Sequence, residues 1–446
     1  MIQRNPPFSF RAMSALLLAL LVHSPNAAAQ YPGSATPGQA EASADPEENK
    51  NAEAKKSWRR KGRQQEGKAL GHKMDARTAK RLAQALEYLQ EDELELAERE
   101  LDRLRMRSLN PFERAQTQRI YAFVEFGKGD TGATRARLQA ALDENALPAG
   151  EQAAVLFQIV QLYLGDQNWQ EVVNHLQQWF QIEPNPNAAA YYILALSHYQ
   201  LGDLEAALAP AQQAINLADT PQESWLRLLL ALRLTRKEYE PAIPLLETLI
   251  RLYPQKLYWV QLSTLHGVLG DYTEALVPLQ LAYQQDLLNQ DGEYRRLAQL
   301  MLYLDLPYRA AGVMQKGFSD GILEQDSEAH ELLGNSHIAA REYEEAVTPL
   351  LRAAELSEDG EIYYRLAQVH LQREKWAEAT TALREAMKKG GLEDQGAAQL
   401  LMGIAYYSQQ KPAQATRWFK RAKKNPKTRD DATNWLNYLE REQRSG

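Results

Sequence analysis

The sequence predicts an all-α chain, a solenoid of about ten stacked helix pairs closed by a C-terminal capping helix. Three observations carry this expectation. From Asp75 onward, apolar residues recur with the helical period and are interrupted every 12–20 residues by short Gly, Asp, Asn or Pro breakers; no stretch alternates as a strand does. The phrase LGDLEAAL, Leu201 to Leu208, returns as LGDYTEAL, Leu269 to Leu276, which is 68 residues or two periods of 34 later. After each turn a small residue follows at a nearly constant distance, as close helix pairs need.

The N-terminal segments come first. Residues 1–29 have the pattern of a cleavable secretory signal peptide: Arg4 and Arg11, an apolar core from Ala12 to Val22, and Ala27 and Ala29 before a cut after Ala29. The apolar core is shorter than the roughly 20 residues a membrane helix needs, and no later segment qualifies, so the mature chain is expected to be exported and soluble, without an integral membrane segment. Residues 30–74, rich in Pro, Gly, Ala and Glu, hold too few large apolar residues to fold and read as a disordered, low-complexity tether. The tether changes sign, from Glu41, Asp45 and Glu47 to a basic run between Lys55 and Lys73 around Trp58. It suits either a solvated linker or an anchor to anionic lipid, a wall-associated polymer or an acidic partner.

Residues 75–426 form the repeat array. Aligned on the opening phrase, ten units spaced 33 to 38 residues apart place a small residue in the second helix: Ala97, Thr134, Val172, Ala207, Ala242, Ala275, Ala311, Ala346, Ala379 and Ala415. In this frame LDLPYRAAGV, Leu304 to Val313, carries one extra residue before Tyr308. Pro210, Pro244, Pro278 and Pro349 recur early in second helices, which places them in first turns, where a missing N–H costs little. Residues 427–446 follow as the capping helix, with Trp435, Leu436 and Leu439 on one face to cover the open apolar end. This pattern resembles the tetratricopeptide repeat (TPR), which implies a right-handed α-solenoid.

Composition excludes several chemistries. The chain of 446 residues has no cysteine, so disulfides, thiolate metal sites and a cysteine nucleophile are absent. The net charge of −7 becomes −9 without Arg4 and Arg11, and setting aside nine basic and six acidic residues of the tether leaves −12 on the remainder. Such a body disfavours nucleic acid. His198, His266, His337 and His370 share one repeat position and His330 fills the leading aromatic slot, so they read as packing residues rather than metal ligands. No phosphate loop, zinc-protease helix or nucleophile elbow occurs, which leaves no catalytic, cofactor or metal residue to name.

The TPR resemblance implies a concave face lined mainly by first helices. Carried over repeat by repeat, it puts Phe157, Gln161, Tyr192, Tyr199, Arg227, Arg295, Gln299, Tyr364, Gln368 and Tyr407 on or near a protein-binding groove. The Lys/Asn set with which some TPR domains clamp a C-terminal carboxylate is missing, because Asn335 is the single Asn at its slot and Glu331 stands where a Lys is needed.

Longer phrases, among them NPFERAQTQRIYAFVEF, WFQIEPNPNA, LAQLMLYLDLPYRAAGVMQKGFSDGIL and RAKKNPKTRDDATNWLNYLE, resemble the exported TPR proteins that accompany TonB, ExbB and ExbD in Gram-negative bacteria. The resemblance spans about Ala76 to Glu440. It implies a periplasmic, non-catalytic scaffold accessory to TonB-dependent transport across the outer membrane, with TonB, ExbB or ExbD as partners and TonB's Lys/Pro-rich stretch as a ligand for the acidic array. A scaffold for outer-membrane or envelope polysaccharide assembly or export is the alternative that the same groove would serve.

Overall fold

The computed structural model describes residues 74–445. The expected signal peptide, and the tether apart from Met74, lie outside the described residues. Twenty-one α-helices follow one another, with one short 3₁₀ turn at Met106–Ser108 and no strand among the described residues. They are α1 (Ala76–Gln90), α2 (Leu94–Asp102), α3 (Pro111–Lys128), α4 (Thr131–Asp143), α5 (Ala149–Gly165), α6 (Trp169–Ile182), α7 (Ala188–Gln200), α8 (Leu204–Asn216), α9 (Glu223–Thr235), α10 (Tyr239–Leu252), α11 (Lys256–Leu269), α12 (Tyr272–Gln284), α13 (Asp291–Tyr303), α14 (Pro307–Ser319), α15 (Ser327–Ala339), α16 (Tyr343–Leu356), α17 (Glu361–Gln372), α18 (Trp376–Lys389), α19 (Gln395–Ser408), α20 (Pro412–Ala422) and α21 (Arg429–Ser445).

The chain divides into two compact units, one ending at Glu238 and one running from Tyr239 to the C-terminus. In the first, α1 packs on α2, α3 on α4, α5 on α6 and α7 on α8, each pair also meets the next, and α9 closes the series. In the second, α10 leads into the pairs α11/α12, α13/α14, α15/α16, α17/α18 and α19/α20, and α21 packs on α20. The result is the helix-pair solenoid architecture expected from the sequence.

One backbone feature unites the ten turns. Each holds one left-handed residue: Asp92, Gly129, Gln167, Gly202, Lys237, Gly270, Asp305, Arg341, Glu374 and Gln410, with φ between 54° and 86°. The turn after Gly202 is then capped by Asp203, whose carboxylate accepts from the Ala206 N–H at 3.0 Å. Asp130 and Asn168 do the same at their own turns. The repeated phrase is therefore a helix stop and a helix start in three residues.

Five residues beyond each left-handed position stands the small-residue slot. Ala97, Thr134, Val172, Ala207, Ala242, Ala275, Ala310, Ala346, Ala379 and Ala415 are all 0% exposed, so each is sealed at a helix contact. The seventh unit corrects the sequence frame. Counting from Asp305, the slot is Ala310 rather than Ala311, and there is no extra residue. Pro307 takes the first helical position, where Tyr272 stands in α12, so Tyr308 is displaced by one and is 73% exposed.

The facing first helices are thinned as well. A Cβ on Gly334 would come within 2.6 Å of Leu350, and one on Gly403 would press into the Phe419 ring. Each glycine stands seven residues before the left-handed residue of its turn, Arg341 and Gln410 respectively. The small slot on the second helix thus has a counterpart that lets α16 and α20 settle onto α15 and α19.

The four prolines are corrected too. Pro210, Pro244, Pro278 and Pro349 lie inside α8, α10, α12 and α16, in the second turn rather than the first. The helices start earlier than the apolar pattern suggested, because the turn and its cap set the start. The missing N–H leaves the carbonyl four residues earlier without its helical donor. For Pro244, Pro278 and Pro349 that carbonyl belongs to an exposed residue, Glu240, Glu274 or Glu345, where water can replace the donor. First-position prolines do occur, at Pro111, Pro307 and Pro412.

Candidate protein-binding cleft

The last first-helix, α19, and the C-terminal helix α21 enclose a cleft of about 540 Å³. Leu400, Ile404 and Tyr407 line it from α19, and Asp431, Asn434, Trp435 and Tyr438 from α21. The spacing of the two walls is the same: 400, 404 and 407 against 431, 435 and 438, an offset of 31 throughout. Leu400, Ile404 and Tyr407 stand ten, six and three residues before the left-handed Gln410 of their turn. The capping helix is therefore in register as an eleventh first helix, and it extends the binding face while it covers the end.

Aromatic packing gives the cleft its walls. Phe419, fully buried, lies parallel to Trp435 with ring centroids 5.4 Å apart and 9° between planes. Tyr407 meets Trp435 at 5.4 Å and the edge of Tyr438 at 5.9 Å. The Tyr407 hydroxyl is 3.2 Å from that of Tyr438 and donates to the Glu442 carboxylate at 3.3 Å. These hydrogen bonds, Tyr438 first, together with partial burial and the Glu442 charge, push the Tyr407 hydroxyl up to about 12. It stays a neutral donor across physiological pH. An apolar floor with Asp431 and Asn434 at its edge can take an aliphatic or aromatic side chain beside a donor group.

Of the residues expected on the groove, Tyr407 is the one that lines this cleft. Leu400, Ile404, Asp431, Asn434 and Tyr438 are not among the residues the sequence singles out, and Trp435 is expected there only as part of the end cover. The common 4-then-3 spacing of the two helices is the available signal, masked by the capping role of α21.

The other expected residues fall elsewhere. In the first unit, Gln161, Tyr199 and Arg227 are exposed on α5, α7 and α9, whereas Phe157 is half-buried against Trp179 at 5.3 Å. Tyr192 stacks on Trp225 at 5.5 Å, and burial raises its hydroxyl pKa against the opposing effects of Ser224 and Arg227. In the second unit, Gln299 is half-buried and Gln368 exposed, and Tyr364, half-buried, has its hydroxyl raised by burial while a bond to Gln368 works the other way.

Arg295 is held internally. Its guanidinium donates to Asp291 at 2.6 and 2.9 Å and to Asp326 at 3.0 and 2.8 Å, joining α13 to the start of α15. The Arg295 hydrogen bonds hold the Asp326 carboxylate below its usual range. Glu331 and Asn335 are likewise engaged, by the Arg365 guanidinium of α17. Of the repeat histidines, His330 packs as an aromatic residue, stacked on Phe318 at 4.7 Å, whereas His337 is held by hydrogen bonds between Glu342, at 2.8 Å, and Gln315, at 3.2 Å. Among the described residues no three His, Asp or Glu side chains converge as metal ligands, and no helix is long and apolar enough to cross a membrane.

Comparison with known proteins bears on the fold. A tetratricopeptide repeat family model matches residues 174–224 and 364–430. No curated protein matches the chain. Among solved structures, MamA is 21% identical over 38% of this chain and 96% of its own, with a TM-score of 0.33. A tetratricopeptide repeat protein from Parabacteroides merdae is 18% identical over 58% of this chain and 99% of its own, with a TM-score of 0.32. YrrB, described as a TPR protein with an unusual peptide-binding site, is 14% identical over 38% of this chain and 85% of its own, with a TM-score of 0.32. The two matched segments, one in each unit, together with the turn register shared by all ten helix–turn–helix segments, make this an all-α chain of tetratricopeptide-repeat architecture.

Proposed function

We propose that the chain is a non-catalytic scaffold that holds a protein segment in the cleft between α19 and α21, and that it works in the periplasm as an accessory to TonB-dependent transport. The observation that carries the binding role is the matched spacing of Leu400, Ile404 and Tyr407 with Asp431, Trp435 and Tyr438, which builds a preformed apolar slot edged by a carboxylate and an amide. Preformed slots bind with little ordering cost. The location is supported by the export pattern of residues 1–29, and the transport role by the phrases shared with the exported TPR proteins of the TonB system.

The test is in-cell crosslinking of the affinity-tagged full chain, followed by mass spectrometry, with an Ile404→Asp variant in parallel. Recovery of TonB, ExbB or ExbD by the parent, reduced at least about tenfold by the charge placed in the slot, supports the proposal. Recovery of polysaccharide-export or outer-membrane assembly proteins moves the function to that role. Equal recovery by parent and variant removes the cleft from the mechanism.

A further inference from the structure

The charge of the chain is divided along its length. Residues 74–394 carry a net −18, because the final 52 residues, with ten Lys or Arg against four Asp or Glu, carry +6 of the total −12. Within the final stretch, eight basic residues fall between Lys411 and Arg429 without a single carboxylate among them. In a body this acidic such a run is not a compositional accident of the repeat.

The structure puts that run on one surface. Ala415, Phe419 and Ala422 bury the inner face of α20, and Arg417 and Lys420 stand exposed on the opposite side, with Lys424 exposed in the turn just past its end. Lys423 and Lys427 are exposed beside them at the turn into α21. No ion pair joins the eight residues to a carboxylate among the described residues, whereas elsewhere in the same unit Arg295, Lys316, Arg365 and Arg373 are all paired. Arg421 rests over the Trp418 ring at 4.4 Å, so the two share one planar edge of the patch.

We propose that the outer face of α20 docks the C-terminal end of the array onto an anionic lipid surface. The kind of partner follows from what the face lacks and what it repeats. No large apolar residue is exposed between Leu356 and Tyr438, and a protein interface of ordinary affinity needs an apolar core inside its polar rim. A row of unpaired cations of nearly uniform chemistry instead suits a laterally uniform negative surface, on which each side chain adds its own increment. Such docking stands apart from the capture of a protein in the cleft, and either can fail without the other.

The experiment is sedimentation of the full chain with vesicles of phosphatidylcholine alone or with roughly a third phosphatidylglycerol, at about 50 mM and about 500 mM salt. Neutral vesicles report any apolar contribution from residues 12–22. The expected result is binding to the anionic vesicles that is lost at high salt and falls about 100-fold when Arg417, Lys420 and Lys424 are all changed to Gln. A tether variant, with Arg59, Arg60 and Lys61 changed to Gln, should retain the larger part of the binding. All three side chains are exposed and unpaired, so the unfolding midpoint of that variant should match the parent and confirm that it folds. Unchanged binding by the α20 variant, or equal binding to neutral vesicles, overturns the proposal. Salt-sensitive binding to polyglutamate without binding to anionic vesicles also overturns it and assigns the face to an acidic protein.

Discussion

His330 shows how a single side chain can make the array sensitive to acid. Its ring lies nearly parallel to Phe318, 14° between planes, and its Nε2 has no hydrogen-bond partner. Burial chiefly, with Arg352 in support, lowers its pKa below the ordinary imidazole value. A folded-state value below the unfolded one means that the unfolded chain takes the proton first as pH falls. Stability attributable to His330 is therefore complete above about pH 7 and declines on acidification until the folded imidazole also protonates. His330→Phe keeps the stack and removes the proton site. Thermal midpoints at pH 7 and pH 5 should lie closer together in that variant than in the parent; an unchanged gap would refute the assignment. His370, also lowered chiefly by burial, leaves a residual slope.

At the level of the helices, the turn carries most of the pattern. Of the ten left-handed residues in the helix–turn–helix turns, three are Gly, which avoids the strain that a side chain brings to positive φ. Arg341→Gly and Gln410→Gly should each raise stability by about 0.5–1 kcal/mol, and Gly270→Ala should lower it by about 1 kcal/mol, in urea unfolding. If the glycine variants are neutral or destabilised, those turns are not strained. The interior prolines permit a second test. Pro244 is exposed in α10. Replacing it with Ala restores one helical hydrogen bond and should stabilise the chain by about 1–3 kcal/mol; a loss instead would show that the helix depends on the proline's geometry.

Within each unit the contacts run from each helix pair to its neighbours, so stability is a sum of local terms and an end matters most to the pair beside it. The α21 helix covers Phe419 with Trp435, and Leu439 is buried with them. A chain truncated after Lys427 should lose amide protection in α19 and α20 by at least about tenfold while α11 to α14 keep theirs. Uniform loss across the unit would mean that it unfolds as one cooperative body. The same truncation removes one wall of the cleft, which joins end-capping and binding in a single helix.

Much of the architecture was legible in the residues. Helical periodicity and the returning LGD phrase determined the all-α class, the number of helix pairs and nine of the ten small slots, because apolar period and backbone stops are local properties. The slot in the seventh unit was misplaced by one, since Ala310 and Ala311 are alike in sequence and the left-handed Asp305 that decides between them is a backbone conformation. The prolines were placed a turn too early for the same reason. Of the binding face, the first-helix positions could be counted, but Arg295 and Phe157 turned out to be held by Asp326 and Trp179, partners 31 and 22 residues away. Only the tertiary structure decided that α21 repeats the register of α19 and leaves a slot between them, because a cleft depends on how two surfaces approach and not on the pattern of either one.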